Sequence, residues 1–174
     1  MPNANKNKGK SAERELCKIM EGIFGGSWMR TFTSGAFTGM SNAWRANILS
    51  KSQLLNNSND IVPPDEYPNC ALESKFYKDF EYHHLFRKEG NLTLNEWIEQ
   101  VESSGIDMNT AFPMICFKIN RKGWFCCCWK DKINDLDYSQ LNHCVYNFNN
   151  KQYVVFEMDM FVNTFVEELK KKFS

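Results

Sequence analysis

Asp60, Glu73 and Lys75 are the residues whose types and spacing could do chemistry. Two carboxylates suit a hard divalent cation, which takes oxygen ligands and keeps several waters or a substrate phosphate. An ammonium group close to such a cation can orient a water and counter phosphate charge. Phosphodiester hydrolysis needs that inventory: a nucleophilic water, a cation to hold the charge that builds on the phosphate, and stabilisation of the leaving oxygen. Cys70 to Phe76 alternates as a strand, with Cys70, Leu72, Ser74 and Phe76 on one face and Ala71, Glu73 and Lys75 on the other. Glu73 and Lys75 therefore project to the same side, about 7 Å apart along the strand. Asp60 precedes Ile61-Val62-Pro63-Pro64, a proline turn that can bring its strand back beside theirs. Two acids and an amine on apolar strands are costly unless a metal or mutual pairing compensates them. Taken alone, D-x12-E-x-K also fits an edge strand with one solvent-facing salt bridge.

The elements that must hold these groups can be traced along the chain. Ser11 is a candidate N-cap, and Ala12, Leu16, Ile19, Met20 and Ile23 recur at helical spacing until Gly25-Gly26. Ser27 to Thr33 reads as a short strand leading into Ser34-Gly35. From Ala36 to Asn59, Asn, Ser and Gly dominate, and the segment is expected as an inserted surface loop with one helical turn around Trp44 to Leu49. Thr93 and Glu96 form a capping box for a second helix whose apolar stripe is Leu94, Trp97, Ile98 and Val101. Phe112 to Ile119 and Trp124 to Trp129 read as a buried hairpin turning at Asn120 to Gly123. Tyr153 to Phe156 is a further strand, and Phe161, Phe165, Val166, Leu169 and Phe173 mark a C-terminal helix.

A chain of 174 residues fits one domain with a real core. At 43% hydrophobic and 24% charged it is globular in composition. No apolar run approaches the length of a membrane span, and no apolar signal core follows the basic start, so a cytoplasmic location is expected, the host's if the source is viral. Seven cysteines without a C-x-x-C pair read as reduced, mostly buried thiols. Cys126, Cys127 and Cys128 are consecutive and alternate in direction on a strand, which opposes a tetrahedral zinc site. The net charge of zero argues against nucleic acid. Lys6, Lys8 and Lys10, however, precede any acid, and Arg14 and Lys18 follow. They form either a basic footing or a solvated, flexible tail over residues 1–10.

The segment Lys8-Gly9-Lys10-Ser11-Ala12-Glu13-Arg14-Glu15-Leu16 resembles the opening helix of archaeal-type Holliday junction resolvases, K-G-x-x-x-E-R-E-L, within the PD-(D/E)xK nuclease superfamily. The order of elements is similar too: a basic glycine segment, a glutamate helix, Arg30 with Ser34-Gly35, an aspartate, then E-x-K. A W-x-x-Q helix (Trp97, Gln100) before a Pro-led strand looks like phage and bacterial relatives. The likeness runs from Lys6 to Trp129 and leaves the tail unmatched. It departs from the family in the long 36–59 stretch and in Ser74, where an aliphatic is usual.

The resemblance implies a single restriction-endonuclease-like α/β domain, with a central mixed sheet, the Glu13 helix on one side and the Trp97 helix on the other; the whole chain, 1–174, is expected to form this one domain, its 150–174 strand plus helix read from the residue pattern. It implies Mg²⁺ or Mn²⁺ held by Asp60, Glu73, the Ser74 carbonyl and Glu13, with Lys75 positioning the attacking water. Lys8, Lys10, Arg14, Arg30, Ser34 and Gln100 would support the site or contact DNA. A homodimer acting on four-way or otherwise branched DNA is the implied assembly. The alternatives are a same-fold nuclease acting on linear, nicked or site-specific DNA, and a non-catalytic DNA-binding or inhibitor module. His83-His84 reads as surface or DNA-proximal rather than as a metal pair. Trp97, Trp124 and Trp129 read as core before they read as base-stacking groups.

Overall fold

The computed structural model describes residues 4–31 and 59–174, with the backbone alone for 4–8. The expected 36–59 insertion apart from Asn59, its helical turn at Trp44 to Leu49, Ser34 and the Lys8 side chain lie outside the described residues. In chain order the elements are α1 (Ala4–Phe24), β1 (Met29–Arg30), β2 (Ile61–Val62), β3 (Cys70–Tyr77), α2 (Leu92–Glu102), β4 (Phe112–Ile119), β5 (Gly123–Trp129), β6 (His143–Phe148), β7 (Lys151–Glu157), α3 (Met158–Thr164) and α4 (Val166–Phe173). Tyr82–Phe86 and Lys130–Lys132 form single 3-10 turns.

The seven strands described make one mixed sheet in the order β1-β2-β3-β4-β5-β7-β6. β3 and β4 run parallel, residue for residue from Cys70↔Phe112 to Tyr77↔Ile119. A parallel pair needs a long crossover, and the segment carrying α2 supplies it. The other pairings are antiparallel. Strand alternation then sorts the core into two layers. Cys70 and Leu72 pack with Ala12, Leu16 and Met20 of α1 and with Phe161 and Phe173 of α3 and α4. Ala71 packs with Leu94, Trp97, Ile98 and Val101 of α2. Burying each such side chain contributes roughly 1.5–3 kcal/mol, so α2 is fixed over the sheet by its stripe more than by its propensity. The cysteine run obeys the same parity: Cys126 and Cys128 face α1 while Cys127 faces α2. All seven thiols are free.

Several boundaries differ from expectation. α1 begins at Ala4, so Lys6, Lys8 and Lys10 are helical rather than a flexible tail, and Ser11 is an exposed helix-interior residue. Lysine and alanine are good helix formers, and they carry the helix past the serine. α2 is capped by Asn91, whose side chain accepts from the Leu94 amide at 3.0 Å, and not by Thr93. Asn91 is buried, and its own amide donates to the Tyr146 hydroxyl at 2.9 Å. That partner lies fifty-five residues away, out of reach of local reading. Among the described residues of the expected Ser27 to Thr33 strand, only Met29–Arg30 pairs in the sheet. β6 was not expected, and the single C-terminal helix is two, broken at Phe165 (φ −113°, ψ 29°).

Candidate active site

The β2–β3 register builds the site. Ile61 is the partner of Leu72, so Asp60 falls opposite Glu73, and directly opposed residues share a face. The face is the α2 side, because Glu73 has the parity of Ala71. Asp60 Oδ2 accepts a hydrogen bond from the Ser74 amide at 3.0 Å. A residue's N–H and C=O leave a strand on the same side, so the Ser74 carbonyl points to that edge as well. The Ser74 hydroxyl points the other way, toward α1, and is buried with no hydrogen-bond partner. Lys75 Nζ lies 2.6 Å from Glu73 Oε1. Gln100, on α2, closes a triangle: its Oε1 accepts from Lys75 at 2.7 Å and its Nε2 donates to Glu73 Oε1 at 2.7 Å.

Burial sets the electrostatics. It raises the Glu73 carboxyl, together with the Asp60 charge and against the pull of Lys75, to about 7. Asp60 is also raised by burial, opposed by Lys75, the Ser74 amide, its hydrogen bond with Glu73, and Arg30. The bond between the two acids favours charge on Asp60 and the proton on Glu73. Like charges in a dry site keep a proton between them until a cation takes its place. Two buried carboxylates and a free-edge carbonyl fit a hard divalent ion; no soft or imidazole donor is among them.

Glu13 sits at the rim. Its carboxyl is raised by burial and by the Asp60 charge and lowered by Arg30, Lys10 and Arg14, so all four groups lie within electrostatic reach. Arg30 Nε is 3.2 Å from Glu13 Oε2. Arg30 pairs with Ile61 on the α1 face, which explains why it meets the α1 glutamate. Lys10 and Arg14 are exposed on the same helix. Of the expected residues, Asp60, Glu73, Ser74, Lys75 and Gln100 are thus joined by direct bonds. Glu13 and Arg30 form a second pair beside them.

A residue missed in the sequence is Glu15. It accepts from Lys118 Nζ at 2.6 Å and from Trp124 Nε1 at 3.0 Å, pinning α1 to β4 and β5. The second acid of E-R-E-L was the available signal. Trp97, Trp124 and Trp129 are all buried core. Glu81, His83 and His84 are the described donors whose ligand atoms all lie within 4.8 Å of one another, a spacing that Glu13, Asp60 and Glu73 do not reach as a set. There, His84 Nδ1 pairs with Glu81 Oε2 at 3.2 Å and its Nε2 lies 3.4 Å from Arg87.

A single-domain mixed sheet between helices, with an acid pair and a lysine on adjoining strands, defines the restriction-endonuclease-like class of α/β protein. The chain belongs to the family described as "Phage putative PDDEXK endonuclease", which it matches over residues 4–173. That span reaches through α4 and includes the tail that the resolvase likeness left unmatched. The chain is 29% identical over 122 residues to Protein D14 of Escherichia phage T5, covering 69% of this chain and 68% of that protein. No solved structure matches it. Among the described residues, no helix is long and apolar enough to cross a membrane.

Proposed function

We propose that the protein is a divalent-metal-dependent DNA endonuclease acting on branched DNA, with four-way junctions as its preferred substrate. The observation that carries the catalytic reading is the Asp60–Glu73 pair across the β2–β3 register, bonded to Lys75 and Gln100. Asp60, Glu73 and the Ser74 carbonyl would hold Mg²⁺ or Mn²⁺, with Glu13 as a direct or water-mediated addition. When bound, such an ion supplies charge stabilisation at the phosphate and lowers the pKa of water. Lys75 orients the attacking water, and Gln100 holds the Lys75 ammonium toward Glu73. Arg30 neutralises Glu13 at the rim, and Lys10 and Arg14 offer cations to flanking phosphates. The preference for branched DNA rests on the K-G-x-x-x-E-R-E-L segment and its resolvase likeness. The homodimer rests on the same likeness, since cutting two opposed strands calls for two related sites.

A second reading keeps the site and changes the substrate to linear, nicked or site-specific DNA. The long 36–59 stretch favours it, because that is where the sequence departs from compact resolvases. A labelled four-way junction, linear duplex and single strand, each incubated with Mg²⁺ or EDTA, separate the two. Symmetric, Mg²⁺-dependent cutting of the junction alone is expected. Equal cutting of linear duplex favours the second reading. No cutting of any DNA would leave the non-catalytic DNA-binding or inhibitor module.

A further inference from the structure

Beyond the acids, the lysine and the glutamine, the α2 face of β3 ends on an aromatic side chain. Tyr77 is the last residue of β3 and has the parity of Glu73 and Lys75. It stands two residues past Lys75, about 7 Å along the strand. Ala71 and Glu73, on the same face, are 2% and 4% exposed, whereas Tyr77 is 40% exposed. Its ring rests against Trp97, with centroids 5.1 Å apart and planes tilted by 55°. Trp97 is buried and backed by Phe80 and Phe117 at 5.9 and 5.3 Å. One side of the tyrosine is therefore braced by an aromatic cluster, while the residue as a whole stays 40% exposed. Trp97 and Gln100 are three apart on α2 and share a helix face, so one helix braces both Lys75 and Tyr77.

We infer that Tyr77 is a stacking platform for the nucleobase next to the phosphate that is cut, an inference that rests on the endonuclease reading of the neighbouring acids. An aromatic ring already held on one side loses little freedom when a base covers the other, and every base offers a face to it. A base inside intact duplex is stacked on both faces. The platform therefore engages where stacking is broken, at a branch, a nick or a frayed end. Cover for Trp97 alone would not require an aromatic residue, because a large aliphatic side chain also shields apolar surface.

The test uses a four-way junction carrying 2-aminopurine beside the branch, bound in EDTA to wild type, Tyr77→Phe, Tyr77→Leu and Lys75→Ala. Wild type, Tyr77→Phe and Lys75→Ala should quench the probe. Tyr77→Leu should leave it bright and bind roughly 5- to 150-fold more weakly, the range of one base–aromatic stack, with Tm unchanged because Trp97 stays covered. Tyr77→Leu matching wild type in quenching and affinity would overturn the inference. Cleavage in Mg²⁺ is followed in parallel. Wild-type cutting with an unaffected Tyr77→Leu removes only the stacking role. A wild type that binds and quenches through Tyr77 but does not cut removes only the endonuclease reading. A wild type that neither binds nor cuts the junction, nor a nicked duplex carrying the same probe, removes both.

Discussion

Glu73 is 4% exposed, faces Asp60 across two strands and accepts from both Lys75 and Gln100. Its carboxyl titrates at about 7 in the folded chain against 4.5 for the ordinary group. The folded state therefore binds the proton more tightly, and stability falls as pH rises from 4.5 through 7. In metal-free buffer, the Tm of wild type should drop over that window more than the Tm of Glu73→Gln. Mg²⁺ should restore it for wild type alone, and parallel Tm curves with and without Mg²⁺ would contradict a metal role. Gln100→Ala leaves the acids in place and leaves the Lys75 ammonium held by Glu73 alone. It should lower the cleavage rate about tenfold at a nearly constant Tm, in the range of losing one positioning contact. Asp60, Glu73 and Lys75 were legible in the sequence because strand parity and a proline turn are local signals. The pair of hydrogen bonds made by Gln100 was not, since it depends on how α2 lies across the sheet, which only tertiary packing decides.

At the scale of elements, the end of α1 and the proline turn are built as one joint. Gly26 has φ +75°, and a Cβ there would stand 2.7 Å from Pro64 Cγ and 3.0 Å from its Cβ. The turn that returns β2 to β3 is thus seated directly on the end of the helix that carries Glu13. Gly26→Ala should destabilise the fold by about 1–3 kcal/mol, read as a lower Tm. It should also reduce cleavage out of proportion, because Asp60 hangs from the displaced strand. A Tm and rate equal to wild type would show that the joint is slack. The Gly25-Gly26 stop was plain in the sequence, but its contact with Pro64 was not. The α1 start, the Asn91 cap and β6 were misread or missed for different reasons. The α1 start follows from local helix propensity and the Asn91 cap from Tyr146, far away in the sequence, whereas β6 had a local signal in its Asn149-Asn150 turn to β7.

The whole molecule is electrically neutral, yet its cations are placed unevenly. Lys10, Arg14 and Arg30 gather around Glu13, while acids are spent in the site itself. A neutral total is therefore compatible with a local cluster of cations beside the site. The fold class was legible as a whole, because alternating strands and two amphipathic helices leave few ways to cover both faces of one sheet. Substrate form and assembly are properties of surfaces, and no local pattern encodes them directly. If junction cleavage is the task, sedimentation at micromolar concentration should give a dimer of 20.4 kDa chains, and a strict monomer would contradict the paired-cut assembly. The central claim, hydrolysis at the Asp60–Glu73–Lys75 cluster, is tested most directly by single-turnover cleavage of labelled branched DNA. Wild type, Glu73→Ala and Lys75→Ala are compared in Mg²⁺ at matched DNA occupancy. Both variants should bind the DNA and lose at least about a hundredfold in rate. Undiminished cutting by either variant would place the chemistry elsewhere in the molecule.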